Sequence, residues 1–422
     1  MSLATITRKI GAPILLTRER LESGVSYNLL SKEQRANPYP TYRQLRTKDP
    51  VHWSELAQAW FLSRYSDVVK VMSDPRFSVV GALEKSNKRM GVNWDSKSPF
   101  IRVSSRWMLM VDPPDHTRLR GLINKALTPR AVERMRQRIT EVTNSLLDVV
   151  QDNGRMDAVG AFGDPMPVIV FASFFGLPPE DHQQLKLWAN TIGKAIDPVF
   201  GPELLQRIDQ AVGEAIQYFQ DRIEERRRDP HDDLLSALVA AEDAGEKLSQ
   251  EELMSTCILL LVAGTETTTN LIGNSIYALL RNPGQMRRLR EDPSLIETAV
   301  EEFLRYETPV QLTGRVAGED VEIRGKRIRQ GQPVGLLMGA ANRDPDEFKH
   351  PDQLDIGRTP DRHSAFSFGP HYCVGSPLAR LEAQVAITTL LERMPKLQLR
   401  TSDFEWRDTL NNRGLKTLPV VF

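Results

Sequence analysis

Cysteine is scarce in this sequence, and neither sign of charge is in excess. The 422 residues include two cysteines, Cys257 and Cys373, and 55 basic side chains balance 55 acidic ones. Neither thiol has a nearby partner for a disulfide or a cysteine-rich zinc site, which predicts a reducing, cytoplasmic setting. The balance of charge argues against nucleic acid as a partner.

Long hydrophobic runs and internal repeats are missing as well. No segment approaches the run of about 18 apolar residues that a membrane span requires. The first twenty residues are interrupted by a proline and by charges, so the sequence predicts neither a signal peptide nor a membrane anchor. Without a repeat, a low-complexity tract or a flexible linker, residues 1–422 are expected to form a single domain.

Helical periodicity is the commonest pattern along the chain. Apolar residues recur at helical spacing over 119–152, where Pro129 begins a new helix, and again over 203–228. Short strands are predicted in three places: 51–62, 319–340 and 397–422. The fold class is therefore expected to be mainly α with small β-sheets (α+β).

One predicted helix is unusually long and changes character halfway. Ser249 and Glu252 have the spacing of a capping box, and a helical pattern continues to Asn282, where Pro283 ends it. Residues 257–263 are apolar on every side, which predicts burial. Residues 264–270 then bring a glycine, several hydroxyls and a carboxylate into the middle of the helix. Because local rules tend to break at functional sites, this stretch is a candidate site.

Cys373 lies in a short loop rich in glycine and proline, which begins at Phe366 and ends at Gly375. Glycine and proline favour a tight turn whose backbone N–H groups point towards the sulfur, and such donors favour a thiolate. The sequence thus predicts that Cys373 is an anion. A lone thiolate suits a metal whose other ligands come from elsewhere, such as a porphyrin; the alternative is a structural cysteine buried in a turn.

The residues Phe366, Gly369, His371, Cys373 and Gly375 fall at the spacings of the haem-binding loop of the cytochrome P450 monooxygenases, which this loop resembles. The resemblance implies the cytochrome P450 fold, with a long central helix over a buried haem b (iron protoporphyrin IX). It implies that Cys373 is the axial ligand of the iron and that Phe366 and Gly369 contact the cofactor.

One position of the loop departs from the family pattern, because Ser367 stands where a glycine is usual. A serine fits there if its backbone keeps a negative φ.

The polar stretch of the long helix also resembles the family. By that resemblance, Ala263 and Gly264 lie against the haem, and Glu266 and Thr267 are the acid–alcohol pair that relays protons for dioxygen cleavage. The alternative is that the threonine hydroxyls bond to helix carbonyls and that Glu266 lies at the surface.

Two further sets of charges match the family's pattern. Glu302 and Arg305 form an ExxR pair, whose implied role is structural, anchoring the scaffold behind the haem. Cations that match positions facing the haem propionates occur in three parts of the chain: His116, Arg120, Arg315 and His371. His116 and Arg120, four residues apart at a helix start, can face one anion.

The function implied by the resemblance is a haem-thiolate monooxygenase. It would use O2 to hydroxylate or epoxidise a mostly apolar small organic substrate. The short segment after Cys373 leaves no room for a fused reductase, so a separate ferredoxin or flavodoxin with its NAD(P)H reductase is expected. Candidates to steer such an acidic carrier are Arg118, Lys125, Arg130, Arg358 and Arg362. Two alternatives stay open: a peroxide-driven enzyme of the same fold, and a non-catalytic haem sensor or carrier.

The substrate pocket is expected, by resemblance, to be lined by 77–111, 174–203, Leu260, Ala263 and 309–313. The first segment mixes apolar residues with bases. The apolar ones are Val79, Val80, Leu83, Met90, Trp94, Phe100 and Trp107. The basic ones, among them Lys85, Lys88, Arg102 and Arg106, are expected to face water rather than a substrate carboxylate.

Overall fold

A computed structural model describes residues 3–89, 92–95, 97–197, 201–243, 248–359 and 362–422. Helices account for most of them, as the sequence predicts. The α-helices are α1 (Leu3–Ser23), α2 (Lys32–Ala36), α3 (Tyr39–Lys48), α4 (Tyr65–Ser73), α5 (Ala82–Arg89), α6 (Pro99–Ser104), α7 (Asp115–Ala126), α8 (Pro129–Gln151), α9 (Pro165–Phe174), α10 (His182–Gly193), α11 (Pro202–Arg228), α12 (Leu234–Asp243), α13 (Gln250–Arg281), α14 (Pro283–Glu291), α15 (Ile296–Tyr306), α16 (Met338–Ala341) and α17 (Ser376–Arg393).

The strands are short and form three small sheets. They are β1 (Val51–Ser54), β2 (Ala59–Leu62), β3 (Phe77–Ser78), β4 (Arg155–Asp157), β5 (Leu312–Ala317), β6 (Val321–Ile323), β7 (Lys326–Ile328), β8 (Pro333–Leu337), β9 (Gln398–Leu399) and β10 (Pro419–Val421). The largest sheet has the order β1-β2-β8-β5-β3, in which only β2 and β8 run parallel. The mainly α architecture with small sheets is therefore confirmed.

The predicted paired strands over 319–340 are confirmed in part. β6 and β7 form an antiparallel hairpin around Gly325, with Val321 opposite Ile328. The third strand, β8, pairs instead with β2 and β5 of the large sheet, and the chain then turns into α16. This long-range pairing places β5, which carries Arg315, beside the centre of the molecule.

Helix α13 is the predicted long helix, and it passes through the core. Ser249 caps its N-terminus: the side chain accepts the Glu252 N–H, and the Glu252 side chain accepts the Ser249 N–H, which is a full capping box. The helix ends at Arg281, ahead of Pro283. It packs against α9, α10, α15 and α17. Since most of its side chains are buried, its position fixes that of the helices around it.

Helix α1 was not predicted from the sequence, in which Pro13 interrupts the pattern. It is fastened by Glu19, which is 2% exposed. The Glu19 carboxylate accepts hydrogen bonds from the backbone N–H groups of Tyr27 and Leu56 and from the Ser54 hydroxyl. None of the helices in the described ranges is long and apolar enough to cross a membrane.

The ExxR pair is buried and saturated with hydrogen bonds. Glu302 and Arg305 are each 2% exposed, and the guanidinium binds both carboxylate oxygens, at 2.7 and 2.8 Å. Arg305 also donates to the backbone carbonyls of Asn342 and Pro351, at 2.8 and 2.9 Å. The pair therefore ties α15 to the segment 342–358, immediately before the cysteine loop.

Arg358 belongs to the same network. Its side chain is only 14% exposed, and its Nε donates to Glu302 at 3.0 Å. It is therefore not a free surface charge, and its expected role in steering an electron carrier was wrong. The residue was misassigned because its partner lies 56 positions away in the chain.

Replacing Glu302 by Gln should lower the free energy of unfolding by about 3–5 kcal/mol, because it leaves the buried Arg305 guanidinium without its counterion. The measurement is urea-induced unfolding. Glu133→Gln is the matched control: Glu133 and Arg136 form an ion pair at the same i,i+3 spacing, but both are half-exposed, so no measurable change is expected. Equal effects of the two substitutions would contradict a structural role of the ExxR pair.

Candidate active site

One cavity of about 480 Å³ lies between α13 and the cysteine loop. It brings together side chains that are far apart in sequence. The predicted site residues that line it are His116, Arg120, Ala263, Gly264, Glu266, Thr267, Arg315, Phe366, His371 and Cys373. Gly369 does not line it. Its φ of +67° and its position against the backbone of Met72 and Ser73 explain the glycine, because a Cβ would come within 2.9 Å of the Met72 carbonyl oxygen.

Cys373 is held by the loop in the predicted manner, but the loop alone does not make it an anion. Its N–H donates to the Phe366 carbonyl at 2.8 Å, and the backbone N–H groups of Gly375 and Ser376 donate towards its sulfur. Burial nevertheless raises the pKa of the Cys373 thiol and outweighs these donors. The backbone donors act in the predicted direction, and the predicted thiolate also requires a bound cation to offset the cost of burial. A metal ion at the sulfur is what would deprotonate it.

The backbone of Ser367 differs from expectation. Its φ is +63° and its ψ is −173°, a region that glycine alone adopts without strain. The N–H of Ser367 donates to the Ser364 carbonyl at 2.8 Å, which holds the turn in this conformation. The expected negative φ was wrong, and the serine occupies a conformation suited to the glycine that is usual at this position.

A charged cluster supports Phe366 from behind. The Arg380 guanidinium lies 4.5 Å from the centre of the Phe366 ring and donates to both carboxylate oxygens of Glu301, at 2.6 and 2.9 Å. His363 Nε2 lies 3.1 Å from the same carboxylate. Burial raises the pKa of Glu301, but the bonds from Arg380 and His363 outweigh it and hold the pKa at about 2. Sequence reasoning missed this cluster, because its members come from three separate segments.

Four cationic or potentially cationic side chains converge on one end of the cavity. His116 and Arg315 are 2% and 3% exposed, and the rings of His116 and His371 are 4.3 Å apart. Arg120 donates to the Pro370 carbonyl at 3.0 Å. Burial, Arg315 and His116 together lower the pKa of His371 to about 3, and burial lowers the pKa of Arg315 to about 10. The cluster thus holds two arginines beside two histidines whose protonated forms are disfavoured, with little negative charge to balance them.

Glu266 and Thr267 both reach the cavity from α13, although they bond differently. The Thr267 hydroxyl donates to the Ala263 carbonyl at 2.7 Å, as the alternative interpretation expected. The Glu266 side chain is only 11% exposed, so it does not lie at the surface. Burial raises the pKa of Glu266, against the opposing effects of Arg407 and the Asn412 side chain, which bonds to it.

Arg407 links Glu266 to the surface. Its Nη1 is 3.7 Å from Glu266 Oε1, and its Nη2 is 4.0 Å from Asp164 Oδ1. Asp164 in turn lies 2.7 Å from the ammonium of Lys186, which is partly exposed. A series of charged groups thus leads from the cavity towards solvent. Sequence reasoning missed Arg407 and Asp164, because they meet Glu266 only in the fold.

Glu382 is a further carboxyl group at the cavity that sequence reasoning missed. It lies on α17, is 2% exposed, and its Oε2 has no hydrogen-bond partner among the described residues. Burial raises its pKa well above the ordinary value, which favours the protonated form.

The cavity has features that fit a flat, anionic group. His116 is buried, yet neither of its ring nitrogens has a hydrogen-bond partner in the described part of the chain. Gly264 and Gly375 line the cavity from opposite sides, and a Cβ on either would meet no atom within 4 Å. Open space beside both backbones and unpaired cations at one end match a porphyrin with its two propionates, with Cys373 placed to bind its metal.

The remaining walls are apolar and agree in part with the expected lining. Val79, Leu83 and Leu260 line the cavity, together with four residues of 309–313. Trp94, Phe100 and Trp107 pack in the core instead, and Val80 is exposed. Met90 falls outside the described residues. Lining residues that were not expected include Leu29, Leu30, Leu56, Ala57, Leu410, Asn411 and Asn412.

Lys85, Lys88, Arg102 and Arg106, which were expected to face water, do not line the cavity. Lys88 pairs with Glu84 on its own helix, and Arg106 pairs with Glu251. In the described residues, the cations that line the cavity are those of the converging cluster. Among the side chains that the structure describes, those lining the part of the cavity away from that cluster carry no positive charge.

Comparison with known proteins gives a consistent result. The sequence profile of the family "Cytochrome P450" matches residues 28–406. The biotin biosynthesis cytochrome P450 of Bacillus subtilis is 42% identical over 402 residues, which cover 94% of this chain and 99% of that protein. The vitamin D(3) 25-hydroxylase of Pseudonocardia autotrophica is 39% identical over 391 residues, 91% of this chain and 94% of that one.

A solved structure resembles the whole fold. The crystal structure of P450BioI in complex with an acyl carrier protein ligated to hexadec-9Z-enoic acid superposes with a TM-score of 0.86 at 42% identity. The match covers 93% of this chain and 99% of that one.

Replacing Ser367 by Gly should raise the free energy of unfolding by about 1 kcal/mol. The strain of this backbone region costs about 1–3 kcal/mol, and the extra freedom of an unfolded glycine offsets part of the gain. Thermal unfolding of the purified protein measures the change. As a control, Ser105→Gly changes a serine with an ordinary φ of −63° and should lower stability. A decrease on Ser367→Gly would show that Ser367 is not strained.

Proposed function

This chain belongs to the cytochrome P450 family of haem-thiolate monooxygenases, and we propose that Cys373 is the residue that binds the haem iron. The family and its fold bind haem through a cysteine thiolate, and its members act on small organic substrates with O2. The observation that carries the assignment is the placement of a single thiol opposite Gly264 in a cavity with a cationic end. The other cysteine, Cys257, is fully buried in the first half of α13.

The cationic cluster supports a propionate-binding role for His116, Arg120, Arg315 and His371. An isolated buried charge is costly, and buried cations are normally paired. Asp112 lies near the cluster, but it already accepts hydrogen bonds from the Ser78 hydroxyl and the Val79 N–H. Two carboxylates of a bound porphyrin would supply the missing negative charge.

When bound, a haem held by a thiolate supports dioxygen cleavage, in which one oxygen atom enters the substrate and the other leaves as water. That reaction consumes two electrons and two protons. Glu266 is suited to hold a proton inside the protein, because burial raises its pKa. Arg407, Asp164 and Lys186 extend from Glu266 towards the surface, where protons are available. Thr267 presents a hydroxyl oxygen to the cavity beside the carboxyl group.

The substrate is an apolar organic molecule, and the reaction is hydroxylation or epoxidation. Away from the cationic cluster the cavity is lined mainly by aliphatic side chains from six parts of the chain: Leu29, Leu56, Leu83, Leu260, Val310 and Leu410. Relatives named for vitamin D(3) hydroxylation and solved with a bound acyl chain support this substrate class. Burial of apolar surface would provide most of the binding free energy.

A separate ferredoxin or flavodoxin, with an NAD(P)H reductase, supplies the electrons in this proposal. Lys125, Arg130 and Arg362 are exposed, and Arg118 is 40% exposed although it pairs with Glu252. Exposed cations near the cysteine loop would attract an acidic carrier to that side of the molecule. Arg380 and Arg120 lie close enough to Cys373 to lower its pKa, so this side also carries positive charge near the sulfur.

The visible spectrum of the protein reduced with dithionite and exposed to carbon monoxide tests the ligand assignment. We expect the strongly red-shifted Soret band of a thiolate-ligated haem in the wild type. Cys373→Ser should lose this band, because the alcohol is not deprotonated in the same way. Cys257→Ala is the matched control and should keep it. A thiolate band that survives Cys373→Ser would contradict the assignment.

Replacing Thr267 by Ala should leave ligand binding intact but divert electrons from product to released hydrogen peroxide, because the hydroxyl beside Glu266 is lost. The measurement is the ratio of product to NAD(P)H consumed, using the compound with the largest spin-state shift in a ligand screen. Thr265→Ala removes a hydroxyl with a similar bond to a helix carbonyl that does not line the cavity, and it should stay coupled. Full coupling in Thr267→Ala would remove the relay role.

A further inference from the structure

The loop formed by residues 409–413 closes the apolar end of the cavity and is fixed on several sides. The Leu410 N–H donates to Asp197 at 2.7 Å, and the Gln311 N–H donates to the Asn411 carbonyl at 2.7 Å. Arg413 binds Glu307 at 2.8 Å and stacks 3.5 Å from the Trp406 ring. A wall held in this way presents its side chains to the cavity in a defined geometry.

Asn411 is the unusual residue of this wall. It lines the cavity and is 8% exposed, and its side-chain oxygen Oδ1 has no hydrogen-bond partner in the described part of the chain. A buried carbonyl oxygen without a donor costs free energy, so native proteins rarely leave one unpaired. Of the lining residues next to it, Leu410 and Val310 have no polar side-chain atoms, and the Asn412 side chain bonds to Glu266. A donor for this oxygen would therefore have to come from a molecule inside the cavity.

The charges of the lining residues limit the chemical class of the molecule that can supply this donor. Among the described lining residues, the cations are His116, Arg120, Arg315 and His371, which the propionates occupy in the proposed function. No other cation in that set remains for a substrate carboxylate. A carboxylate also has no proton to donate, so it would leave the Asn411 oxygen without a partner. The substrate end that meets Asn411 is therefore neutral and donates a hydrogen bond.

We propose that Asn411 determines substrate orientation by accepting a hydrogen bond from a hydroxyl or N–H group on an otherwise apolar, uncharged substrate. This inference rests on the proposed function, since it takes the cavity to be the substrate site. The aliphatic side chains bind the substrate through non-directional contacts, which do not determine its orientation. The hydrogen bond would fix the position of one end of the substrate. Asn411 is thus a specificity-determining residue rather than a catalytic one.

Two pairs of probes test the proposal in the haem-loaded enzyme. Testosterone and androst-4-ene-3,17-dione differ in a hydroxyl against a ketone, and dodecan-1-ol and 1-methoxyundecane differ in a hydroxyl against an ether. Spin-state titration gives Kd for each. In at least one pair the alcohol should bind about tenfold more tightly to the wild type, because only it can donate to Asn411. In Asn411→Leu, which has a similar volume and no acceptor, that ratio should fall to about one.

Val310→Ala is the control on the same wall. It changes the volume of the cavity but no polar atom, so the two Kd values of a pair should move together. The proposal is overturned if the wild type shows no preference for the alcohol, if neither pair binds, or if Asn411→Leu keeps the preference. The carbon monoxide spectrum of each preparation separates this result from the haem assignment: a thiolate band with no alcohol preference rejects the role of Asn411 alone.

Discussion

The unpaired positive charge at one end of the central cavity is the constraint on which the site depends. His116, Arg120, Arg315 and His371 come from α7, β5 and the cysteine loop, and the fold brings them together although like charges repel. Burial lowers the pKa values of His116, Arg315 and His371, and repulsion from neighbouring cations adds to this effect at the two histidines. Such a cluster is stable only with an anionic partner, so binding of the cofactor and stability of the fold are linked.

The Glu302–Arg305 pair shows the opposite solution to the same physical problem. Here the buried charges are matched within the chain: the carboxylate accepts from Arg305, from Arg358 and from the Asp355 N–H. This network needs no ligand, and it holds the segment that leads to the cysteine loop. The protein therefore has two buried ionic clusters. The cluster behind the cavity has its charges balanced within the chain, and the cluster inside the cavity does not. The balanced cluster serves the scaffold, and the unbalanced cluster forms part of the binding site.

Sequence reasoning found the features that local chemistry determines. The capping box and the polar stretch of α13, the cysteine loop and the i,i+3 spacing of the ExxR pair are all readable over short distances. It failed where a partner lies far along the chain. Arg358 was taken for a surface charge because Glu302 lies 56 residues earlier. Arg407 and Asn411 gave no signal, since they meet the cavity only through the packing of the C-terminal loop. Ser367 was misjudged because the turn closed by its N–H on the Ser364 carbonyl has a positive φ, against the preference of a serine.

Helix α13 shows how one element can serve both stability and chemistry. Its first half is buried and apolar, which anchors the helix firmly in the core. Because the first half is anchored, the following turn can contain residues of low helix propensity. Gly264 leaves open space beside the backbone, and Thr267 uses its hydroxyl hydrogen on the Ala263 carbonyl, so that its oxygen lone pairs remain available. Glu266 is buried beside Arg407 and Asn412, and burial keeps its pKa high. A carboxyl group in this position would cost stability in an ordinary helix, and the rigid surroundings of α13 are what make it tolerable.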